Sequence, residues 1–439
     1  MKLLYLSTFI VLIALITHAQ SNITKTLSAE TILIRSGRLL DVRAGTYKTD
    51  QAVIVEGGYI KEVGAFTAIR RKWTGKTRII DLSHAILLPG LIDCHSHLFS
   101  AAEGSDDTAA RMPESERMKV GEKHAREYLE AGVTIVRNLG YGIDDDVKLR
   151  DRINSGSIPG PEIFAATRKL TPPGGQGVTE ASPRDFARNF AEVSGIESAK
   201  HRVREIIESG ADVIKVVVDA GSHLLTIEEV TAIVKEAHQN GRKVAAHAIS
   251  AAAIKIAVDS GVDSVEHGTE INEEMLLKMV ERGIFLVPNS FTEQSLRQIF
   301  AAELQRKPAV QADFEAFIKD HLLRSRRRLQ LAMQAKVRIA AGSDMVFIYP
   351  GRTRGQASMT NLEALRGLGL PATDVMRAAT INASELLGIS SRVGSIEAGK
   401  QADIIAVDGD PLADISLLQR VKFVMKKGLI VKNEMSKMN

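Results

Sequence analysis

The chain has 439 residues, of which 44% are hydrophobic and 25% are charged; this composition is typical of a folded globular protein and excludes a disordered chain, a collagen and a polytopic membrane protein. The 57 lysines and arginines against 53 acidic residues leave a formal charge of +4, which is too small for the basic stripe that a nucleic-acid partner requires. The single cysteine, Cys94, cannot close an intramolecular disulfide.

The N-terminal residues 1–19 have the pattern of a secretory signal peptide. Lys2 precedes a mainly apolar run over 3–16, and Ala19 is a small residue at a suitable cleavage point. The run is shorter than the roughly 20 apolar residues that a membrane-spanning helix needs. We therefore expect a secreted or periplasmic protein without a membrane contact after cleavage. A retained anchor or a buried N-terminal helix is the alternative.

Both ends of the remaining chain have the character of hairpin strands. Short β-branched runs separated by glycine turns mark residues 28–86, and the same pattern returns in 389–435. Each segment alone has too few strands to bury one face of a sheet. We therefore predict one small, β-sandwich-like domain that is built from both chain ends.

Residues 87–388 alternate strand-length apolar runs with helix-length amphipathic stretches. This alternation is typical of βα units with a parallel sheet. Eight units in about 300 residues favour an α/β fold of the (β/α)8 TIM-barrel type over an open, doubly wound sheet. The predicted strands are Leu87–Asp93, Val133–Leu139, Ile163–Thr167, Val213–Val218, Val244–His247, Ser264–His267, Phe285–Pro288 and Ile339–Gly342.

The end of the first predicted barrel strand carries a His-x-His pair. Alternate side chains of a strand share one face, so His95 and His97 are expected to point the same way as Asp93 and could bind one metal ion. Cys94 is expected on the opposite face as a small buried residue. The pair alone is weak evidence for a metal site, since such pairs also arise by chance.

Later barrel strands add polar residues in the same position. His247, His267 and Asp344 each close a predicted strand, and barrel enzymes place catalytic groups at this end of their strands. Lys215 lies within an apolar strand, where a lysine is costly to bury unless it is paired or chemically altered. We therefore expect these four residues and the His-x-His pair to meet at one mouth of the barrel.

The ordered set His-x-His, Lys, His, His, Asp resembles the binuclear metal centre of the amidohydrolase superfamily, and in particular its prolidase-like and imidazolonepropionase-related subgroup. Two framing motifs are also similar, Ile79-Ile-Asp-Leu-Ser83 before Leu88-Pro-Gly-Leu-Ile-Asp93, and the stretch 393–404. The resemblance covers nearly the whole chain after the predicted signal peptide.

The resemblance implies two divalent metal ions, zinc first among them, because imidazole and carboxylate groups suit zinc. A carboxylated Lys215 would offer an anionic oxygen to each ion, whereas a free ammonium would repel both. The implied ligands are His95, His97 and Asp344 for the first ion, His247 and His267 for the second, and carboxylated Lys215 as the bridge.

The implied reaction is hydrolysis of an amide or peptide bond by an activated hydroxide. Asp344 would take the hydroxide proton and return it to the leaving amine. The resemblance favours a dipeptidase of the Xaa-Pro kind or a carboxypeptidase-like hydrolase. Its small-molecule substrate would be a dipeptide or an N-acyl amino acid. The alternatives are a deaminase or cyclic-amide hydrolase of the same superfamily and a metal-free scaffold on the same fold. A homo-oligomer is compatible with the sequence.

Substrate contacts are expected from the loops that follow the strands. Gln176 stands where the resembling subgroup has a histidine, and Tyr141 is expected to form a further wall of the pocket. Arg352 and Arg354 offer guanidinium groups that could bind a carboxylate through two hydrogen bonds.

Charged residues elsewhere are interpreted as surface groups. The four histidines in charge-rich helical stretches are expected at the surface, Glu266 is expected to face the helix layer, and the arginines of 324–328 are expected on a solvated face. These histidines are His124, His201, His238 and His321.

Overall fold

The computed structural model describes residues 30–75, 77–100, 112–175, 187–347 and 349–435. The predicted signal peptide, residues 1–19, lies outside these ranges. Within them, every helix is too short or too polar to cross a bilayer.

Strands and helices alternate through most of the described chain. In chain order the strands are β1 (Thr31–Asp41), β2 (Thr46–Glu56), β3 (Tyr59–Ala65), β4 (Thr77–Pro89), β5 (Leu91–Ser96), β6 (Val133–Asn138), β7 (Glu162–Ala165), β8 (Lys169–Thr171), β9 (Phe190–Glu192), β10 (Val213–Val217), β11 (Asp219–Ala220), β12 (His223–Leu224), β13 (Lys243–Ala248), β14 (Ser264–His267), β15 (Phe285–Val287), β16 (Ile404–Val407), β17 (Phe423–Lys426) and β18 (Leu429–Asn433). The helices are α1 (Phe66–Lys72), α2 (Glu114–Glu130), α3 (Asp145–Asn154), α4 (Ile196–Glu208), α5 (Ile227–Gln239), α6 (Ala251–Ser260), α7 (Glu273–Arg282), α8 (Glu293–Arg306), α9 (Gln311–Ala335), α10 (Arg354–Ser358), α11 (Thr360–Gly367), α12 (Ala372–Ala378) and α13 (Ile381–Leu386).

Strands from both chain ends share one seven-stranded sheet, in the order β18-β17-β16-β4-β1-β2-β3. Its hydrophobic core combines Ile34 and Val53 from the N-terminal part with Ile404 and Phe423 from the C-terminal part. Each end therefore buries its apolar face against the other. The limits of this domain, residues 28–86 with 389–435, stay a prediction.

The middle of the chain forms two parallel sheets, β5-β6-β7 and β15-β14-β13-β10-β8-β9. The segment after α9 connects them, because Ile339 pairs with β15 and Met345 pairs with β5. On the other side, the Asp212 amide donates a hydrogen bond of 2.8 Å to the Ala165 carbonyl. Parallel strands with intervening helices are the pattern of a (β/α) barrel. The fold class predicted from the sequence is confirmed.

The first predicted barrel strand is divided in the structure. Residues 87–89 belong to β4 in the terminal sheet, and β5 starts at Leu91. Pro89 ends β4, since a proline donates no hydrogen bond to a sheet, and the Gly90 amide bonds to the Asp403 carbonyl instead. The chain therefore passes from the terminal sheet into the barrel directly before the His-x-His pair.

Short connections follow the barrel strands that carry the later histidines. Ser250, two residues after the end of β13, caps the N-terminus of α6. Its hydroxyl accepts a hydrogen bond from the Ala253 amide. The Asn272 side chain begins α7 in the same way after β14. Such caps satisfy amides at the start of a helix. They fix where each helix begins after its strand. The histidines lie at these strand ends, which form the rim of the barrel.

Candidate metal centre

Three predicted ligands converge where β5 ends. His97 Nε2 lies 3.1 Å from Asp344 Oδ1, and His95 Nε2 lies 3.4 Å from the same oxygen. One ligand atom of each of these three residues lies within 4.8 Å of the others. Imidazole nitrogens and a carboxylate oxygen at such distances could hold one divalent metal ion.

The remaining predicted ligands lie beside this group. The ring centroid of His267 is 5.6 Å from that of His95 and 4.4 Å from that of His247. Burial, followed by the charge of Lys215, lowers the pKa of His247 to about 4. His247 is therefore neutral at pH 7, the form in which imidazole binds a metal.

Lys215 lies on β10 among buried neighbours and is itself 2% exposed. Its Nζ has no hydrogen-bond partner among the described residues. Burial lowers the pKa of Lys215 to about 8. A buried amine without a partner is rare in folded proteins, and it favours a further group at this position.

Asp344 has an ionised carboxylate at neutral pH. Burial alone would raise its pKa, but the neighbouring His95 and His97 lower the pKa of Asp344 below its usual value. The Asp344 amide donates a hydrogen bond of 2.7 Å to the His95 carbonyl. The backbone thus keeps the carboxylate next to the two imidazoles.

Two of the predicted ligands have a left-handed backbone, which is uncommon for residues other than glycine. The φ angle is +67° at His267 and +50° at Asp344. Hydrogen bonds hold His267 in place, because Asn289 Oδ1 accepts from its amide at 3.0 Å and Arg328 Nη1 donates to its carbonyl at 2.7 Å. Strained backbone of this kind persists where the surroundings over-determine it, often at functional sites.

Glu266 corrects the sequence analysis, because it faces the metal-site histidines and not the helix layer. Its Oε2 lies 2.8 Å from His95 Nδ1, and its Oε1 accepts a hydrogen bond of 2.8 Å from Arg137 Nη2. The prediction that Glu266 and His267 face opposite sides assumed an extended strand. It was wrong because the backbone of His267 is not extended. The opposite charges of Arg137 and Glu266, each within a predicted strand, are the sequence signal that could have identified this pair.

The Glu266 carboxylate also determines how His95 presents its ring. A hydrogen bond from Nδ1–H to a carboxylate leaves Nε2 as the acceptor nitrogen, which is the arrangement found behind many metal-binding histidines. Arg137 keeps the buried carboxylate paired, and its Nε donates a further hydrogen bond of 2.6 Å to the Cys94 carbonyl. Cys94 itself is fully buried, as expected.

Asp93 connects the two segments that carry the first three ligands. Its Oδ1 accepts hydrogen bonds from the amides of His95 and Ser343, and its Oδ2 accepts one of 2.6 Å from the Ser343 hydroxyl. Burial raises the pKa of Asp93 to about 6. Asp93 therefore positions the ligands and does not share the cluster with them.

The predicted substrate contacts differ in their surroundings. Gln176 lies outside the described residues. Tyr141 is buried, and its ring stacks on Phe99 with centroids 4.9 Å apart. The Arg352 guanidinium lies 5.1 Å from the ring centroid of Tyr349. Tyr141 and Arg352 stay predictions as substrate contacts.

Arg354 has a structural task. It is buried and donates hydrogen bonds of 3.0 Å to the carbonyls of Met345, Phe347 and Ser100. These contacts fix the loop after Asp344. As a substrate contact, Arg354 also stays a prediction.

Two predicted surface groups are buried. His124 is 8% exposed, and its Nδ1 bonds to the Leu98 carbonyl at 2.8 Å because α2 presses this face onto the loop after β5. Arg328 is 4% exposed, and burial lowers its pKa to about 10. His201 and His238 are exposed, as expected, and His321 is half-buried.

Comparisons with known proteins identify related sequences and structures. A family model described as "Amidohydrolase family" matches residues 86–431. Ochratoxinase from Aspergillus niger is 28% identical over 436 residues, covering 92% of this chain and 86% of that protein. Imidazolonepropionase from Shouchella clausii is 25% identical over 423 residues, covering 87% and 85%. The crystal structure of a Xaa-Pro dipeptidase with methionine bound in its active site has a TM-score of 0.79 at 29% identity, with 92% of this chain and 100% of that chain covered.

The fold and the site define a barrel hydrolase that acts on carbon–nitrogen bonds. The chain belongs to the amidohydrolase family. Amidohydrolases generally bind divalent metals, and the cluster of His95, His97 and Asp344 has the donors for one. The metal-free scaffold considered from the sequence has no support.

Proposed function

We propose that the protein is a hydrolase with two divalent metal ions, zinc first among them, that releases an amino acid from a dipeptide or an N-acyl amino acid. The observation that carries the proposal is the meeting of the predicted ligands at one rim. His95, His97 and Asp344 form one group, and the rings of His247 and His267 lie directly beside it. The similarity to a Xaa-Pro dipeptidase and to ochratoxinase supports this substrate class.

The donor set fits metal ions. His97 Nδ1 and Lys215 Nζ are buried polar atoms without a hydrogen-bond partner in the described ranges. Lys215 would react with carbon dioxide through its neutral amine, which burial favours; the new nitrogen–carbon bond would replace one N–H bond, whose proton passes to solvent. The resulting carbamate would satisfy the orphaned position and bind both ions, His95, His97 and Asp344 completing one site and the two other histidines completing the second.

When bound, the ions would supply an activated water and polarise the scissile carbonyl. Asp344, ionised and held by its own backbone amide, would accept the proton of the attacking water. It would then donate that proton to the leaving nitrogen as the carbon–nitrogen bond breaks. His95 would keep its orientation throughout, because Glu266 holds its Nδ1.

A second candidate is hydrolysis of a cyclic amide or deamination of a ring. The similarity to an imidazolonepropionase over most of the chain favours the first of these, hydrolysis of a cyclic amide. A cyclic substrate yields one ring-opened product, and a deaminase releases ammonia, so both differ from a peptidase in their products.

The test uses purified mature protein loaded with zinc in the presence of bicarbonate. Xaa-Pro dipeptides, N-acyl amino acids, cyclic amides and aminated heterocycles are offered, products are separated by chromatography, and bound metal is counted by elemental analysis. Release of a free amino acid with two metal ions per chain supports the proposal. Ring opening or ammonia release supports the second candidate. Turnover without bound metal contradicts the metal centre.

We also propose export of the chain through the signal peptide at residues 1–19. N-terminal sequencing of the protein from the culture medium or periplasm tests this. A mature chain that starts near residue 20 is expected, and an intact Met1 would contradict it.

A further inference from the structure

Arg328 is a buried cation for which the described residues provide no buried anion. It projects from the long helix α9 and is 4% exposed. Among the described residues, no acidic side chain offsets its burial. An unpaired charge in the protein interior is costly, so the position favours an anion from outside the described chain.

The hydrogen bonds of Arg328 leave part of its guanidinium unused. Nη1 donates to the His267 carbonyl at 2.7 Å, and Nη2 donates to the Ser290 hydroxyl at 2.9 Å. Both acceptors are neutral. Nε has no partner within the part of the chain that the structure describes, although guanidinium groups bind carboxylates best through two parallel N–H groups.

Two further buried polar atoms near this guanidinium are also unsatisfied. Asn361 donates to the Ser290 carbonyl at 3.1 Å, while its own Oδ1 has no partner among the described residues. His321 lies on the same side of α9, two turns before Arg328, and its Nε2 is likewise without a described partner. Native proteins pair most buried polar atoms. Arg328 and Asn361 both bond to Ser290, and the ring of His321 lies 6.4 Å, centroid to centroid, from that of the adjacent Phe291. These three atoms therefore indicate a polar site that a ligand completes.

The site lies directly beside the candidate metal centre, because Arg328 contacts the backbone of His267. We propose that Arg328 binds the free carboxylate of the amino acid that leaves in the reaction. This inference rests on the proposed function and deepens it, since it makes a free carboxylate next to the scissile bond a requirement of the substrate. The competing role for Arg328 is structural, to hold the strained backbone of His267.

Matched ligands that differ in the carboxylate distinguish these roles. Hydrolysis of alanyl-proline is compared with that of alanyl-pyrrolidide, which has the same ring without the carboxylate. Binding of L-proline is compared with that of L-prolinol by calorimetry, which needs no turnover. The variants are Arg328→Met and Arg328→Lys, with Arg327→Met as the control because Arg327 is exposed on the same helix. Metal content and melting temperature are measured for each.

The zinc-loaded wild type and Arg327→Met are expected to favour the carboxylate ligand by about 100-fold or more in both assays. Arg328→Met should reduce this preference to about 1, and Arg328→Lys should retain a part of it, because a point charge replaces the fork. A purely structural role predicts that Arg328→Met weakens both ligands by the same factor, and this result would overturn the inference. Equal binding of L-proline and L-prolinol by the wild type, including no binding of either, would also overturn it. Absence of peptide hydrolysis together with a carboxylate preference in binding would instead contradict the proposed function alone.

Discussion

The candidate metal centre has a first half, formed by His95, His97 and Asp344, and a second half, formed by His247 and His267. The two halves differ in the contacts that hold their residues. In the first half, Glu266 binds His95 Nδ1, and the Asp344 amide binds the His95 carbonyl. In the second half, His267 is held through its backbone, and Lys215, the predicted bridge between the halves, has no partner for its Nζ among the described residues. The fold therefore orients His95 and Asp344 by itself, whereas His97, whose Nδ1 has no partner among the described residues, and Lys215 depend in part on the groups that bind there. Substitutions in each half should differ accordingly.

The largest effect is expected at the carboxylate of the first half. Asp344→Asn removes the predicted proton acceptor and one metal donor, so kcat/KM for a dipeptide should fall by at least about 1000-fold. Steady-state kinetics and elemental analysis measure it. Asp320→Asn is the control, since Asp320 is exposed and pairs with Arg324 on α9. Activity of Asp344→Asn within tenfold of the wild type would exclude the assigned role.

Lys215 tests the predicted bridge between the two halves. Lys215→Arg keeps a positive charge but cannot form a carbamate, so kcat/KM should fall by at least about 100-fold and the metal content should drop from two ions to one. If the lysine acted as a cation, the arginine would retain both activity and metal. Mass spectrometry of the native wild type, with and without bicarbonate, provides an independent measurement of the carbamate.

Glu266 tests whether protein contacts orient the first half before metal binds. Glu266→Gln weakens the hydrogen bond to His95 Nδ1, so zinc affinity should fall by about 10- to 100-fold, measured by chelator competition. The folded protein should also lose stability, because Arg137 then lies buried without its anion. The assay is therefore run well below the melting temperature of the variant.

Glu236 supplies the matched control for this experiment. It is also a buried glutamate paired with an arginine, at 2.8 Å from Arg204, but it lies on α5 away from the rim. Glu236→Gln should leave zinc affinity unchanged. Equal zinc affinity of the Glu266→Gln variant and the wild type would mean that His95 binds zinc without the charged hydrogen bond at its Nδ1.

Much of this arrangement is predictable from the sequence because strand ends have a simple geometry. His247 and Asp344 each close an apolar run, and the ends of parallel strands meet at one rim of a barrel. The same reasoning fails for Glu266, because alternation along β14 assumes an extended backbone, and His267 departs from it at a φ of +67°. A single left-handed residue was enough to reverse the predicted face.

Arg328 and His124 could not be placed for a different reason. A charged residue in a charged helical stretch is most often solvated, and burial there depends on what packs onto the helix. For α2 this is the loop after β5, and for α9 it is the turn that contains Ser290. Both contacts join parts of the chain that are distant in sequence, so local patterns do not contain them. The end of β4 at Pro89, in contrast, is predictable from the sequence, because it follows from the chemistry of proline alone.

The smallest effect is expected where the second half is held by the backbone. Asn289 joins two strand ends, accepting from the His267 amide and donating to the Gly342 carbonyl, each at 3.0 Å. Asn289→Ala should cost about 1–3 kcal/mol in the free energy of unfolding and weaken metal binding by about 2- to 10-fold. Asn382→Ala is the matched control, because Asn382 donates a similar bond of 2.9 Å to Ile339 at the far end of the same segment. It should lose stability without losing metal affinity. Chemical denaturation gives the loss in unfolding free energy, and chelator competition gives the loss in metal affinity. If the ratio of these two losses is the same for both variants, the backbone of His267 does not contribute to metal binding in the second half.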